Sequence, residues 1–340
     1  MGFKERFLGL EPQEFRYKTK AYLRRKLIVS QLNKPWYNGL YGSYWHMLIH
    51  KENGGKDQDF YIASRPNPGA GIGHQMSNWL CGHKMSNYYG IGYAVYPFSY
   101  LKDPFVPNDW DRFLGLNENM VKAEDLYAKG YKKVILPRVD WYKEKDHEFL
   151  WKIMNSYSGK VVFLLEMDQF INDELEDLEY LREKYYACPE RKNDRLVYNK
   201  DHFNVAVHIR RGDIVQKDPN HLREEMTKRW LDTSYYVDLL RKYVPQYAGN
   251  NEVDIYLFSQ AAKEELGGFE EFGNVHFCND YSAIESFLHM ANADLFIMSK
   301  SGMSYQAAKL NLNGVILYPK GFWNEPVDSD RWIVIDQERN

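Results

Sequence analysis

The stretch VAVHIRRGDIV, residues 205–215, alternates apolar residues and then sets down His208, Arg210, Arg211 and Asp213 in quick succession. Guanidinium groups stay charged, present their donors as a planar fork and match phosphate oxygens in pairs. At the exit of a buried strand, where open parallel sheets take their ligands, such groups suit an anion. A second stretch, SKSGMSYQAA (299–308), opens a helix with serines and Gly302. A helix start built from small residues directs backbone N–H groups at an anion. The two stretches together describe a diphosphate site assembled without a metal. An internal ion-pair network among Arg210, Arg211 and Asp213 at a sheet edge is the competing explanation, and the pattern alone does not separate the two.

The elements that must carry these residues follow an α/β rhythm from about residue 60. FYIAS reads as a strand, followed by the loop RPNPGAGIG and a helix from about His74 to Tyr88. Further strands are expected at 92–98, 132–137 and 160–167, and a surface helix at 173–186 with carboxylates in its first turn. The second half repeats the rhythm. Strands are expected at FNVAVHIR, VDIYLFSQ, NVHFCN, DLFIMSK and GVILYP. Helices are expected at TSYYVDLLRKYVPQY, AAKEELGGF (short), YSAIESFLHMANA and SGMSYQAAKLN. Alternation at this length means parallel sheets with helices on both faces. With CPERKND (188–194) as the link, the expected domains are 1–190 and 191–340.

Composition bounds the rest. The 340 residues are 44% hydrophobic and 27% charged, a globular composition, and the net charge of -3 argues against a dedicated nucleic-acid binder. Cys81, Cys188 and Cys278 show no metal-ligand spacing and read as reduced thiols of a cytoplasmic, soluble chain. No apolar run is long enough to span a membrane. Residues 14–36 form a basic segment with Phe15, Tyr22 and Leu23 at helical spacing, ending near Pro35. A solvated helix packed on the domain explains it, and contact with an anionic membrane surface is the sharper expectation.

VAVHIRRGD resembles the H-x-R-R-x-D signature of fucosyltransferases that use GDP-fucose. The likeness is nearest to the α-1,2 group and looser to the α-1,6 and protein O-fucosyltransferase groups. GAGIGHQMSNWL (69–80) resembles their glycine-rich segment, with Gly71, Gly73 and Gln75 matching. ADLFIMSKSGMSYQAAKLN (293–311) resembles their late strand–helix segment, with Ser301 and Ser304 matching. The resemblance implies a GT-B-like α/β fold, two Rossmann-like domains facing each other across a cleft, and an inverting, metal-independent transfer of fucose to a glycan hydroxyl. It gives Arg210 the β-phosphate, Arg211 and Asp213 the support of that arginine, and His208 the guanine or its ribose. Ser301, Gly302 and Ser304 fall to the phosphates or their loop, and Glu285 (or Ser286) to the base. His74, Gln260, Gly302 and Met303 depart from the family pattern.

The acceptor proton needs a destination. Asp218 falls where the α-1,6 group has a catalytic carboxylate, and His74 has a suitable ordinary pKa. A sugar that develops oxocarbenium character first needs no strong base. Three rivals stand beside this expectation. They are a metal-dependent transferase using Asp109-Trp110-Asp111 or Asp328-Ser329-Asp330, a metal-free transferase with another sugar nucleotide, and a non-catalytic carbohydrate-binding protein of the same fold. Trp79, Trp323 and Trp332 are candidates to line an acceptor site, although core packing explains each of them singly.

Overall fold

Short β-branched runs alternate with apolar residues at helical spacing along the chain, and the computed structural model realises them as two α/β units. It describes residues 12–32, 34–50, 57–65, 70–98, 109–166, 175–212, 228–322 and 326–336. The units comprise residues 1–177 and 178–340.

The first unit opens with helix α1 (Pro12–Gln31), a 3-10 turn (Tyr37–Leu40) and α2 (Gly42–Ile49). Then follow β1 (Gln58–Ser64), α3 (Ile72–Tyr89), β2 (Gly92–Val95), α4 (Trp110–Leu114), β3 (Val121–Lys122), α5 (Ala123–Ala128), β4 (Lys132–Ile135), α6 (Glu144–Asn155) and β5 (Gly159–Leu165). The strands form a sheet in the order β3-β2-β1-β5-β4, and every pair is parallel. Helices cover both faces, so successive residues through the middle of β1 (60–63) and the end of β5 (161–165) are all apolar. Ile62 and Phe163 pack with Met85, Leu150 and Ile153 on one side. Ala63, Val162 and Leu164 pack with Leu126 on the other. This is why these strands read as continuous apolar runs and not as an alternation. Gly90, at φ 64°, ends α3 in the left-handed conformation that lets Ile91 N–H reach the Ser86 carbonyl at 3.0 Å.

The second unit begins with α7 (Leu178–Ala187). Arg182 Nε donates to the Lys309 carbonyl at 2.7 Å and Tyr186 Oη to the Leu310 carbonyl at 2.5 Å. These bonds tie α7 to this unit, so the division falls before the helix and not after residue 190. Then come β6 (Phe203–Ile209), α8 (Thr233–Ala248), β7 (Val253–Ser259), β8 (Asn274–Phe277), α9 (Ala283–Met290), β9 (Leu295–Ile297), α10 (Gly302–Leu310), β10 (Val315–Pro319) and β11 (Trp332–Ile335). The parallel sheet runs β11-β10-β9-β6-β7-β8. Its core is Val205, Val207, Ile209, Leu240, Ile255, Leu257, Leu295 and Ile297.

The short helix expected over AAKEELGGF is a single 3-10 turn, Lys263–Glu265. Gly267 and Gly268 (φ +96°) follow it, and one turn does not repay the cost of helix nucleation. The helical spacing of Leu150, Ile153 and Met154 makes α6, which lay outside the expected elements. The basic helix ends at Gln31, before Pro35. Among the described residues no helix is long and apolar enough to cross a membrane. All three cysteines are buried and form no disulfide.

Candidate functional site

From β6 the chain builds outward through β7 and β8, then crosses back to lay β9, β10 and β11 on the other side. The direction of winding reverses between β6 and β9, and in open α/β sheets the crevice at such a reversal is where ligands bind. Val207 pairs with Ile297 across that boundary, so the residues that leave the two strands emerge side by side. They are His208 and Arg210 on one strand, and Ser299, Lys300 and Ser301 on the other.

His208 ties the two together. Its Nδ1 bonds the Ser304 hydroxyl and, at 3.1 Å, the Ser299 hydroxyl, while those hydroxyls lie 3.3 Å apart. Burial, reinforced by the charge of Arg210, pushes the His208 pKa down to about 3. The imidazole is therefore neutral at physiological pH and acts as a hydrogen-bonding group, with Nε2 lacking a partner among the described residues. Arg210, half-buried, follows two residues later at the same strand exit. Ser301 is the N-cap residue of α10 (φ -138°, ψ 132°), yet its side chain makes no capping bond. The N–H groups of the first turn keep their partial positive charge without a side-chain acceptor. Lys300 is half-buried, and burial lowers its pKa. The two adjacent strand exits thus carry two cations, a neutral imidazole and the start of a helix, residue types that stabilise an anion.

Several sequence expectations change in detail. Arg211 is buried (4% exposed) and offers no fork to a ligand. Its Nη1 donates to the Arg210 carbonyl at 2.9 Å and its Nη2 to the Leu231 carbonyl at 3.2 Å. Its guanidinium also stacks 3.8 Å from the Trp230 ring centroid. Ser304 is fully buried and spends its hydroxyl on His208, so it positions the imidazole and does not reach a phosphate. Ser301 is buried as well, leaving Gly302 and Met303 as the more open residues of the mouth. Glu285 is not aimed at a base. It closes a capping box at the start of α9, accepting from Ser282 N at 2.8 Å while Ser282 accepts from Glu285 N at 3.1 Å. Asp213 and Asp218 lie outside the described residues.

The glycine-rich candidates stand in the first unit. Gly71 is the N-cap of α3, Gly73 is buried, and His74 is half-buried in the first turn. Gln75 is buried and donates to the Ala70 carbonyl at 3.0 Å, bracing the turn from within. The Asp109/Asp111 pair is scaffold, since Asp111 accepts from Phe98 N at 3.1 Å and from Asn117 Nδ2 at 2.7 Å, and burial raises its pKa. Asp328 and Asp330 are exposed. Among the described residues no group of three His, Cys, Asp or Glu is arranged to hold a metal. Trp79 and Trp332 are core residues, and Trp323 lies outside the described residues.

Lys300 and the Arg211–Trp230 stack escaped sequence reasoning. The lysine's position directly after a strand and before a serine-initiated helix was the available signal. Gln260 matters sterically. Gly212 has φ +70°, and a Cβ there would meet Gln260 Oε1 at 2.0 Å.

No family model matches the chain, and no curated protein matches it. Solved structures with a similar course include the fucosyltransferase NodZ from Bradyrhizobium, 12% identical, covering 74% of this chain and 93% of that one with a TM-score of 0.40. POFUT1 in complex with GDP is 12% identical, covering 76% and 98% with a TM-score of 0.46. ADP-heptose LPS heptosyltransferase II from E. coli is 12% identical, covering 83% and 92% with a TM-score of 0.41.

Proposed function

We propose that this chain is a GDP-fucose-dependent glycosyltransferase that moves fucose to a hydroxyl of an oligosaccharide or glycan acceptor, inverting the anomeric centre without a metal, in the manner of the α-1,2 group. The observation that carries this reading is that His208 joins the exits of β6 and β9 through Ser299 and Ser304 at the winding reversal of the second unit, where Arg210, Lys300 and the start of α10 follow the paired strands. When the bond between the anomeric carbon and the diphosphate oxygen breaks, both electrons stay with the leaving GDP. Arg210, Lys300 and the N–H groups of Gly302 and Met303 meet that charge from fixed positions, which is the form of catalysis that costs no reorganisation. Neutral His208 donates from Nε2 to the nucleotide while Nδ1 is held by serine hydroxyls. The acceptor proton goes to Asp218 or His74, or leaves late from an acceptor attacking an oxocarbenium-like sugar.

Calorimetric titration with GDP and UDP, followed by assay of GDP release from GDP-fucose, tests the reading. Micromolar GDP binding, weak UDP binding and slow GDP release support it. The departures at His74, Gln260 and Gly302 favour a different donor sugar if GDP binds but GDP-fucose is inert. Binding of neither nucleotide overturns both. Activity undiminished by EDTA supports the metal-free step, and loss of activity overturns it.

A further inference from the structure

The first unit carries an exposed apolar and basic surface that the transfer reaction does not use. On α1, α2 and the segment between them, the exposed apolar residues among those described are Leu23 (56%), Leu27 (53%), Val29 (47%), Trp36 (58%), Leu40 (42%), Trp45 (53%), Leu48 (54%) and Ile49 (73%). Ile28 faces the other way and packs on Tyr37 and Tyr41. Leu23 and Leu27 are one turn apart and share their outward sector with the exposed Lys20 and Lys26. Beneath α2, the Ser43 hydroxyl bonds the Ile135 carbonyl at 2.7 Å, which fixes the helix from its inner side. Trp45, Leu48 and Ile49 follow at i, i+3 and i+4 on its outer side. Both indoles are anchored at their nitrogens, Trp36 to Gln31 Oε1 at 2.8 Å and Trp45 to the Gly39 carbonyl at 2.9 Å, while their rings stay open to solvent.

Charge selects the occupant. Residues 14–36 contain seven lysines and arginines against one carboxylate, Glu14, in a chain whose net charge is -3. Apolar side chains and indoles flanked by lysines match the boundary layer of a bilayer with anionic headgroups. A second copy of the same face would bring two cationic segments together, which opposes self-association. We propose that α1, the 3-10 turn and α2 dock this face in the plane of an anionic membrane surface, holding the protein peripherally without spanning the bilayer. This inference is independent of the transferase reading.

The test is sedimentation of the full chain with vesicles of phosphatidylcholine alone or mixed with phosphatidylglycerol, at low and high salt. The expected result is partition to the mixed vesicles, with a blue shift of indole emission and release by salt. Neutralising one lysine should weaken partition about fivefold, so Lys20→Gln with Lys26→Gln should reduce it more than tenfold. Trp45→Ser with Leu48→Ser and Ile49→Ser should abolish the blue shift, while far-UV circular dichroism and melting show an intact fold. Equal partition to both vesicle types, or unchanged partition of the folded variants, would overturn the proposal. So would a dimer in light scattering that the triple serine variant converts to monomer, because the face would then belong to a second copy.

Discussion

The two sheets place different charges at the ends of their central strand pairs. In the first unit the central pair is β1 and β5, and the residues leaving those strands are Arg65 and Glu166. They pair at 2.7 Å, and Arg24 of α1 holds the second carboxylate oxygen at 2.5 Å. In the second unit Arg210 leaves β6, and β9 continues into Ser299, Lys300 and Ser301, so that Lys300 stands in the register position that Glu166 holds in the first unit. An arginine answered by a carboxylate of its own sheet is scaffold, and a lysine in that place makes the second exit the more cationic of the two.

The comparison breaks or sharpens at specific substitutions. Arg210→Ala should lower kcat by about 10²–10³-fold, the cost of roughly 3–4 kcal/mol for one preorganised donor, with an unchanged melting curve. Normal turnover by the folded variant would remove the assignment. Lys300→Glu copies the first unit's arrangement into the second, since Lys300 lies opposite Arg210 as Glu166 lies opposite Arg65, and should weaken GDP binding at least tenfold by calorimetry, through repulsion of the diphosphate. Glu166→Gln does the converse in the first unit. Because its arginine partners are about one-third exposed, solvent screens the pairs, and the stability loss should be about 1 kcal/mol in urea, with GDP affinity untouched. Gly212→Ala should cost about 1–2 kcal/mol, and Gln260→Ala in the same chain should recover the steric part only, since φ remains positive. A pH dependence completes the set. The folded pKa of His208, about 3, lies below its ordinary 6.5, so the folded state binds fewer protons. Its stabilising contribution is complete above 6.5 and is lost progressively as pH falls toward 3. His208→Gln should flatten the melting temperature across that window.

Much of the scaffold was legible because both sheets are buried on both faces, and uninterrupted runs such as KVVFLL and FNVAVHI have few other uses. The meeting of His208 with Ser299 and Ser304 was not legible from spacing, since it depends on β9 being laid beside β6 after the chain has crossed over. Arg210 and Arg211 are adjacent in sequence, yet only one is buried. A strand exit turns neighbouring side chains to opposite sides, and composition does not say which side is covered. Glu285 has a local use that the sequence shows directly, the Ser282-x-x-Glu285 spacing of a capping box, beside the base-reading role that the resemblance implies.

The buried guanidinium of Arg211 grips the Leu231 carbonyl and the Trp230 ring from a root only one residue before Gly212. It works as a hasp across the base of the segment between them. With the stem latched, lengthening that segment costs little, about 0.6 kcal/mol for each doubling of a flexible loop. With residues 211 and 231 latched together, β6 is insulated from changes in the number of residues that separate them.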